Sequence, residues 1–259
     1  MNSKNNCIIL NYHSIYDVGA HSTHIDPVYT IDLDTFRTHL ALFQKLDLNV
    51  VSLDELKDLK PSDKFCLCIT FDDGHASDHE LAAPLLDEYG FKASFFPTLM
   101  NFKENDPRWS SYCVLAESGH LVGAHGVSHQ YLPGLNVEEQ IHELKASKYF
   151  IEDRIGQSVD YFSLPGGKYN QKTIQLAKEV GYEKVLTTDF EFLDPQNLPF
   201  TIGRWSIKKN TSIAVLEAVL RKDPSTIRRI KFKKNLAKNI GQVIGNNLTD
   251  KLNNFINSK

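Results

Sequence analysis

Two adjacent carboxylates, Asp72 and Asp73, directly follow an apolar run at residues 65–69. The run is too short for a helix and rich in strand formers, so it predicts a buried strand with the acidic pair at its carboxyl end. In α/β folds, active sites are built at that end of the strands. Aspartate and glycine are also common in turns, so the pair alone is as consistent with a strand-end turn as with a catalytic site.

A second chemical signal is the pair His125 and His129, whose four-residue separation is that of neighbours on one face of a helical turn. Two imidazoles and one carboxylate are a familiar ligand set for Zn²⁺ or another borderline divalent ion, with positions left open for water and substrate. Histidines at this spacing are more often surface or capping residues. Asp73, at a different predicted strand end, supplies the third ligand and strengthens the prediction of a metal site.

The two aspartates could divide the chemistry of hydrolysis between them. One can bind the metal while the other remains a free base. A bound metal lowers the pKa of its water and polarises a carbonyl, and the free carboxylate removes the proton of that water. A leaving amine must also be protonated, so a general acid is required on the opposite side of the carbonyl.

Short strands alternate with amphipathic helices along the chain, at the spacing of βα units. The sequence contains no repeat, low-complexity tract or obvious linker. The economical architecture is therefore a single parallel (β/α) barrel with its chemistry at the carboxyl ends of the strands. The predicted elements include strands at 7–10 and 201–205, a helix capped by Asp34, and helices at 136–155 and 170–181.

The charge of this 259-residue chain is unevenly distributed. The net charge of −3 argues against wholesale nucleic-acid binding. Residues 221–259 carry ten Lys and Arg against two acids, a segment charge of +8, whereas residues 1–220 carry −11. We therefore predict a barrel domain at 1–220 and a basic helical segment at 221–259. Apolar residues such as Ile227 and Phe232 make that segment consistent with a solvated terminal helix or with contact to a membrane surface.

Neither a leader nor a membrane span is predicted. The first apolar run is too short for a signal-peptide core, and no stretch approaches the ~18 apolar residues of a spanning helix. The cysteines, at positions 7, 66, 68 and 113, lack the spacing of a disulfide framework. Cys66 and Cys68 lie inside a predicted strand, which favours core packing over zinc ligation. We expect reduced thiols and a cytoplasmic location, with peripheral membrane contact as an alternative.

The residues 70–74, Thr-Phe-Asp-Asp-Gly, followed by His125-x-x-x-His129, resemble the motifs of the polysaccharide deacetylase family (the NodB-homology domain). Members of that family are divalent-metal carbohydrate N-deacetylases on a distorted, TIM-like (β/α) barrel. The resemblance extends from about residue 8 to residue 205. It implies that Asp72 is the catalytic base and that Asp73, His125 and His129 bind the metal, with zinc as the expected ion.

Residues 163–167, Ser-Leu-Pro-Gly-Gly, resemble the family's third motif. The resemblance implies that Pro165 borders the substrate and that Gly166 offers its N–H to an oxyanion, as a turn of this kind can. Two features depart from the family pattern. Ser163 replaces an arginine that normally orients the base, and Gly166 replaces the tyrosine that usually follows the proline. The family's late Leu-x-His motif, which supplies the general acid, is missing because no histidine follows His142.

One circularly permuted branch of the family, often of exopolysaccharide-processing enzymes, carries the acid histidine in an N-terminal Tyr-His. This chain has Tyr12 and His13 at the end of its first predicted strand, and residues 50–55 also resemble that branch. The resemblance therefore implies that His13 is the general acid. The alternative is a histidine that only satisfies loop backbone.

Arg204 and Trp205 end a late predicted strand and are candidates for sugar contact, since an indole face suits the apolar face of a pyranose. Packing in the core is the more frequent role for a tryptophan such as Trp205.

The resulting hypothesis is a metal-dependent N-deacetylase acting on an N-acetylhexosamine of a surface polysaccharide or its precursor. One alternative keeps the chemistry and changes the substrate to another non-peptide amide. The other is a catalytically silent glycan-binding or assembly protein on the same fold, which the missing arginine and late histidine would favour.

Overall fold

The computed structural model describes residues 6–17, 26–59, 64–103 and 106–244, and the side chains of the last helix as far as residue 236. The strands are β1 (Cys7–Tyr12), β2 (Ile15–Tyr16), β3 (Ile31–Asp32), β4 (Asn49–Val51), β5 (Cys66–Asp73), β6 (Ser94–Pro97), β7 (Leu121–Val122), β8 (Tyr161–Ser163), β9 (Lys184–Leu186), β10 (Thr201–Ile202) and β11 (Trp205–Ser206). The α-helices are α1 (Leu33–Lys45), α2 (Ala83–Glu88), α3 (Arg108–Glu117), α4 (Val137–Ile155), α5 (Gln171–Val180), α6 (Ile213–Leu220) and α7 (Pro224–Ile244).

The strands form an arc of parallel ladders, which confirms the predicted α/β class. One sheet has the order β11-β1-β5-β6-β7, with β4 also paired to β5, and a second has the order β10-β9-β8. A single parallel bridge between Ala124 and Phe162 joins the two sheets on one side. On the other side, no ladder among the described residues links β10 to β11. The barrel is therefore distorted rather than closed by a continuous ring of hydrogen bonds.

The chain itself crosses this opening at Gly203 and Arg204. The sequence predicted one strand over residues 201–205, whereas the structure divides it into β10, which pairs with β9, and β11, which pairs with β1. A Cβ atom at Gly203 would lie 2.2 Å from the carbonyl oxygen of Asp189, so only glycine allows this close approach. The break sets the position of the residue that follows it, Arg204.

Alternate residues of β5 belong to two different apolar clusters. Leu67 and Phe71 join the large cluster that includes the helices, whereas Cys66 and Cys68 join a smaller cluster formed mainly by strand residues. Because side chains alternate along a strand, Asp72 falls on the same side as the two cysteines. The strand therefore directs Asp72 into the space that the arc of strands encloses.

The cysteines are free, and three of them form part of the smaller cluster. The Sγ atoms of Cys7, Cys66 and Cys68 lie within 4.8 Å of one another, and all three residues are buried. Their surroundings are apolar side chains, in keeping with the predicted role in core packing.

Helix caps follow the sequence signals with one correction. Asn136 and Glu139 form the reciprocal capping box that begins α4, and Asn170 caps α5. The predicted cap of the first helix, Asp34, is wrong. Asp32 takes that position, because its Oδ1 accepts a hydrogen bond from the N–H of Thr35, which leaves Asp34 inside the first turn of α1.

The basic segment begins as α7, which packs on the rest of the fold through Ile227 and Ile230. Phe232 and Leu236, on the same helix, are 69% and 43% exposed. Residues 245–259 of the predicted segment lie outside the described residues.

Among the described helices, none combines the length and the apolar character needed to cross a bilayer.

Candidate active site

Asp73, His125 and His129 meet at the carboxyl ends of the parallel strands. Oδ1 of Asp73 lies 3.3 Å from Nε2 of His125 and 3.2 Å from Nε2 of His129. Nδ1 of His125 lies 2.7 Å from the carbonyl oxygen of Ser163, and because a carbonyl only accepts, this nitrogen must donate. The arrangement fixes the His125 tautomer and leaves Nε2 with a lone pair facing Asp73.

The histidines reach this position from a loop. The sequence spacing predicted one face of a helical turn, but residues 126–131 are not helical, and His129 has φ of 57°. Asp73 also lies in the left-handed region, with φ of 80°. Such angles are uncommon for residues other than glycine and concentrate at functional sites. The structure therefore brings His125 and His129 together as predicted, but the predicted helical conformation is wrong.

Glu143, on α4, holds that loop. Its carboxylate accepts hydrogen bonds from the N–H groups of Val127 at 2.7 Å and Ser128 at 3.0 Å, and from the hydroxyl of Ser128. Gly126 allows this approach, since a Cβ there would lie 2.8 Å from Oε2 of Glu143. Sequence reasoning missed Glu143, because nothing in an amphipathic helix marks one buried glutamate as a loop anchor.

The three residues fit a divalent metal ion. Their ligand atoms lie within 4.8 Å of one another, and Oδ1 of Asp73 is buried without a hydrogen-bond partner among the described residues. Burial would raise the pKa of Asp73, but the neighbouring imidazoles of His125 and His129 outweigh it and hold that pKa well below its ordinary value. One carboxylate and two imidazoles suit zinc and similar ions.

The second aspartate, Asp72, is paired with Arg204 in a buried, two-pronged contact. Nη1 and Nη2 of Arg204 lie 2.8 and 2.7 Å from the two carboxylate oxygens, and the amide of Asn11 donates a third hydrogen bond at 3.0 Å. Burial would raise the pKa of Asp72, but the charge of Arg204 outweighs it and lowers the pKa to about 2. Asp72 is therefore held as an anion.

This contact revises two sequence expectations. Arg204 is 0% exposed, so its guanidinium is not available to a sugar, and it orients Asp72 instead. Its Nη2 also lies 2.7 Å from Oγ of Ser163. Ser163 is the residue that stands where the family's third motif usually has an arginine. The guanidinium missing at position 163 is thus supplied from the β10–β11 break. Trp205 packs against Phe190 with 6% exposure, which matches the core role rather than sugar contact.

His13 lies at the same edge of the sheet. Tyr12, the last residue of β1, is in register with Phe71, so His13 follows the end of β1 at about the level of Asp72 in β5. Burial lowers the pKa of His13, against the opposing charges of Asp73 and Asp72. Its Nδ1 has no hydrogen-bond partner among the described residues. No contact of that nitrogen therefore supports the alternative of a histidine that only satisfies loop backbone.

The Pro165–Gly167 turn follows β8 and lies beside the histidines, since Ser163 already contacts His125. Pro165 is buried and Gly166 is exposed, with φ of 61°. A Cβ at Gly166 would lie 2.5 Å from the ring of Tyr131, so this close approach requires glycine. The turn thus presents its backbone, not a side chain, at the rim.

A further acidic group lies behind the site. Asp78 is fully buried and accepts a hydrogen bond from the hydroxyl of Tyr112 at 2.7 Å. Burial raises its pKa to about 8, so it is mostly protonated at neutral pH. His75, two residues after Asp73, has its Nε2 3.6 Å from Oδ2 of Asp73. No local signal distinguishes Asp78 from an ordinary helix residue.

Comparisons with known proteins agree with this geometry. Residues 59–185 match the family model described as polysaccharide deacetylase. YxkH of Bacillus subtilis, assigned by name to the polysaccharide deacetylases, is 31% identical over 187 residues, covering 70% of this chain and 64% of YxkH. A peptidoglycan-N-acetylglucosamine deacetylase of Bacillus cereus is 31% identical over 127 residues, covering 49% of this chain and 58% of that protein.

Similarity to solved structures extends to the fold. The deacetylase PplD of Streptococcus pyogenes, solved in complex with acetate, superposes with a TM-score of 0.68 at 22% identity. The match covers 79% of this chain and 93% of PplD. This chain spans less than two thirds of the length of the two curated relatives, so their whole activities do not transfer to it directly.

Proposed function

This chain belongs to the polysaccharide deacetylase family, and on that premise we propose that it is a metal-dependent hydrolase that removes acetyl groups from an N-acetylated sugar. The observation that carries the proposal is the meeting of Asp73, His125 and His129 next to an anionic Asp72. We further propose that the sugar is an N-acetylhexosamine of a surface polysaccharide or of its precursor.

Asp73, His125 and His129 would hold the metal. A divalent ion bound there would polarise the acetamide carbonyl and lower the pKa of a water molecule. Asp72, kept ionised by Arg204, would take the proton of the attacking water. The N–H of Gly166 would donate to the oxygen of the carbonyl as it gains negative charge.

His13 would complete the reaction by donating a proton to the departing amine. The breaking C–N bond leaves negative charge on nitrogen, and without a proton the amine is a poor leaving group. The first strand ends level with Phe71, the residue before Asp72, which is the geometric support for giving this role to a residue near the start of the chain.

Acetate release is the direct test of the proposed function. Purified protein loaded with zinc should release acetate from members of a panel of N-acetylated sugars, and a chelator should stop the release until metal is restored. The Asp72→Asn variant is the matched control, since it keeps the metal ligands and removes the base. Release only from other amides would favour the first alternative, and glycan binding with no release from any substrate would favour the silent protein.

The His13→Ala variant should lower kcat by about 10²–10⁴-fold, the usual contribution of general acid catalysis. Metal content should stay unchanged, because His13 is not among the three proposed ligands. Acetate release and elemental analysis on one preparation measure both quantities. His142→Ala, which changes an exposed histidine of α4, is the control for loss of a histidine in general. A fully active His13→Ala enzyme would contradict the assignment.

A further inference from the structure

Two partly buried lysines lie near the candidate active site, and neither has a role in the proposed reaction. Lys208 follows β11, and Lys234 lies on α7, within the basic segment. Both are only partly exposed. A partly buried ammonium group usually has a carboxylate partner, so the environment of each one indicates what ligand it could take.

Lys208 is connected to the site through an aromatic ring. Its Nζ lies 5.3 Å from the centre of the Tyr29 ring, and the ring of His13 also lies against Tyr29, with centroids 4.5 Å apart. The order from the proposed acid outward is therefore His13, Tyr29 and Lys208.

Lys234 is connected to the site through a backbone carbonyl. Its Nζ donates to the carbonyl oxygen of Thr188. Thr188 borders the Pro165–Gly167 turn, since a Cβ at Gly167 would lie 2.3 Å from the hydroxyl of Thr188. The preceding carbonyl, that of Thr187, accepts a hydrogen bond from Nε of Arg204. Lys234 thus lies beside the segment that supports both the turn and the partner of the base.

In the described part of the chain, no carboxylate oxygen lies within 4.0 Å of the Nζ atom of either lysine. Burial lowers the pKa of both lysines, and that of Lys234 falls to about 8, with Asp189 opposing the shift and Lys208 and Arg204 adding to it. The surroundings of Lys208 include Asp26 as its opposing charge. Arg204, which is ion-paired with Asp72, is a third cation in the surroundings of Lys234.

We infer that Lys208 and Lys234 form an anion-binding subsite for a phosphate group carried by the N-acetylated sugar. The inference rests on the proposed function and names its substrate class, a phosphorylated N-acetylhexosamine. Charge-assisted hydrogen bonds from lysine to phosphate are stronger than neutral ones, and two cations beside the site would fix which end of the sugar enters. A neutral sugar would leave both ammonium groups without a close ion pair among the described residues.

The remainder of α7 supports the same substrate class. Arg228, Arg229, Lys231 and Lys233 extend the positive charge along the helix that presents Lys234. Exposed charges of this kind raise the rate at which an oppositely charged ligand reaches a site, over about 8 Å at physiological ionic strength. The basic segment would then serve the site that it packs against, as well as the surface of the protein.

Binding of N-acetylglucosamine 1-phosphate and of unmodified N-acetylglucosamine, measured by calorimetry with chelator present, tests the subsite. The chelator ensures that no metal ion holds the phosphate. We expect the phosphorylated sugar to bind at least tenfold more tightly. Lys208→Gln and Lys234→Gln should each remove most of this preference. Lys172→Gln, an exposed lysine of α5 outside the basic segment, is the control and should retain it.

Equal binding of the two sugars, or a preference that survives both Lys208→Gln and Lys234→Gln, would overturn the subsite. Anionic phospholipid vesicles provide a second arm. Vesicle binding that depends on the same two lysines, with no preference between the sugars, would overturn the sugar-phosphate assignment in favour of a lipid headgroup. Lack of acetate release from every substrate, with the binding preference intact, would instead reject the proposed function and leave the subsite standing.

Discussion

Replacing Arg204 with methionine should destabilise the fold by about 3–5 kcal/mol, the usual cost of removing one partner from a buried ion pair. Asp72 would stay buried at 3% exposure without its counter-charge, and burial would then raise its pKa. Urea unfolding measures the loss. Arg221→Met is the matched control, because that side chain is 58% exposed in its pair with Glu217 and such pairs contribute about 1 kcal/mol or less.

The same variant should change two pH profiles. The folded pKa of Asp72, about 2, is below its ordinary value of 3.8, so the pair stabilises the fold fully above about pH 4. That stabilisation is lost as the pH falls toward 2, and Arg204→Met should lack this dependence. Its acetate release should also begin to fall at higher pH than in the unmodified enzyme, because a buried Asp72 without Arg204 takes up a proton sooner.

A double variant that exchanges Ser163 and Arg204 distinguishes the effect of Arg204 on the orientation of Asp72 from its effect on the stability of the fold. Because Nη2 of Arg204 already lies 2.7 Å from Oγ of Ser163, exchanging the two residues by Ser163→Arg and Arg204→Ser should return a guanidinium to Asp72. We expect the double variant to recover activity relative to Arg204→Ser alone. An Arg204→Met protein as stable as Arg221→Met would contradict the role assigned to the pair.

Replacing His125 with alanine should abolish both metal binding and acetate release. Loss of a group that merely supports a metal ligand already costs about 10–100-fold in affinity or activity, and His125 is proposed as a ligand itself. Elemental analysis and acetate release measure the two effects. His129→Ala should behave in the same way, and His142→Ala should bind metal normally. Unchanged metal content in both His125→Ala and His129→Ala would remove the basis for the site.

The parts of the site that the sequence could predict are those written in local pattern. The apolar run before Asp72 and Asp73 is sufficient to place both acids at a strand end, and the four-residue spacing of His125 and His129 marks them as a pair. The loop conformation of the two histidines could not be predicted, because it depends on Glu143 of a separate helix, which accepts a hydrogen bond from the N–H of Val127.

The role of Arg204 illustrates the opposite case. It contacts Asp72 across 132 positions of sequence, and only because the strand predicted at 201–205 breaks at Gly203. A pattern of hydrophobic residues does not show such a break, and an arginine at a strand end reads as a surface residue. The same is true of Lys234, which reaches Thr188 only because α7 packs back on the barrel.

The position of β1 has a consequence for synthesis on the ribosome. This strand, near the beginning of the chain, lies between β5 and β11, and Leu10 pairs with Trp205. One edge of β1 must therefore wait until about 200 residues have been translated before its partner exists, and pairing at such long range is slow. Arg204 directly precedes that partner, so Asp72 acquires its counter-charge only when β11, the last described strand, has been made. A shorter nascent chain lacks the ion pair that keeps the base charged.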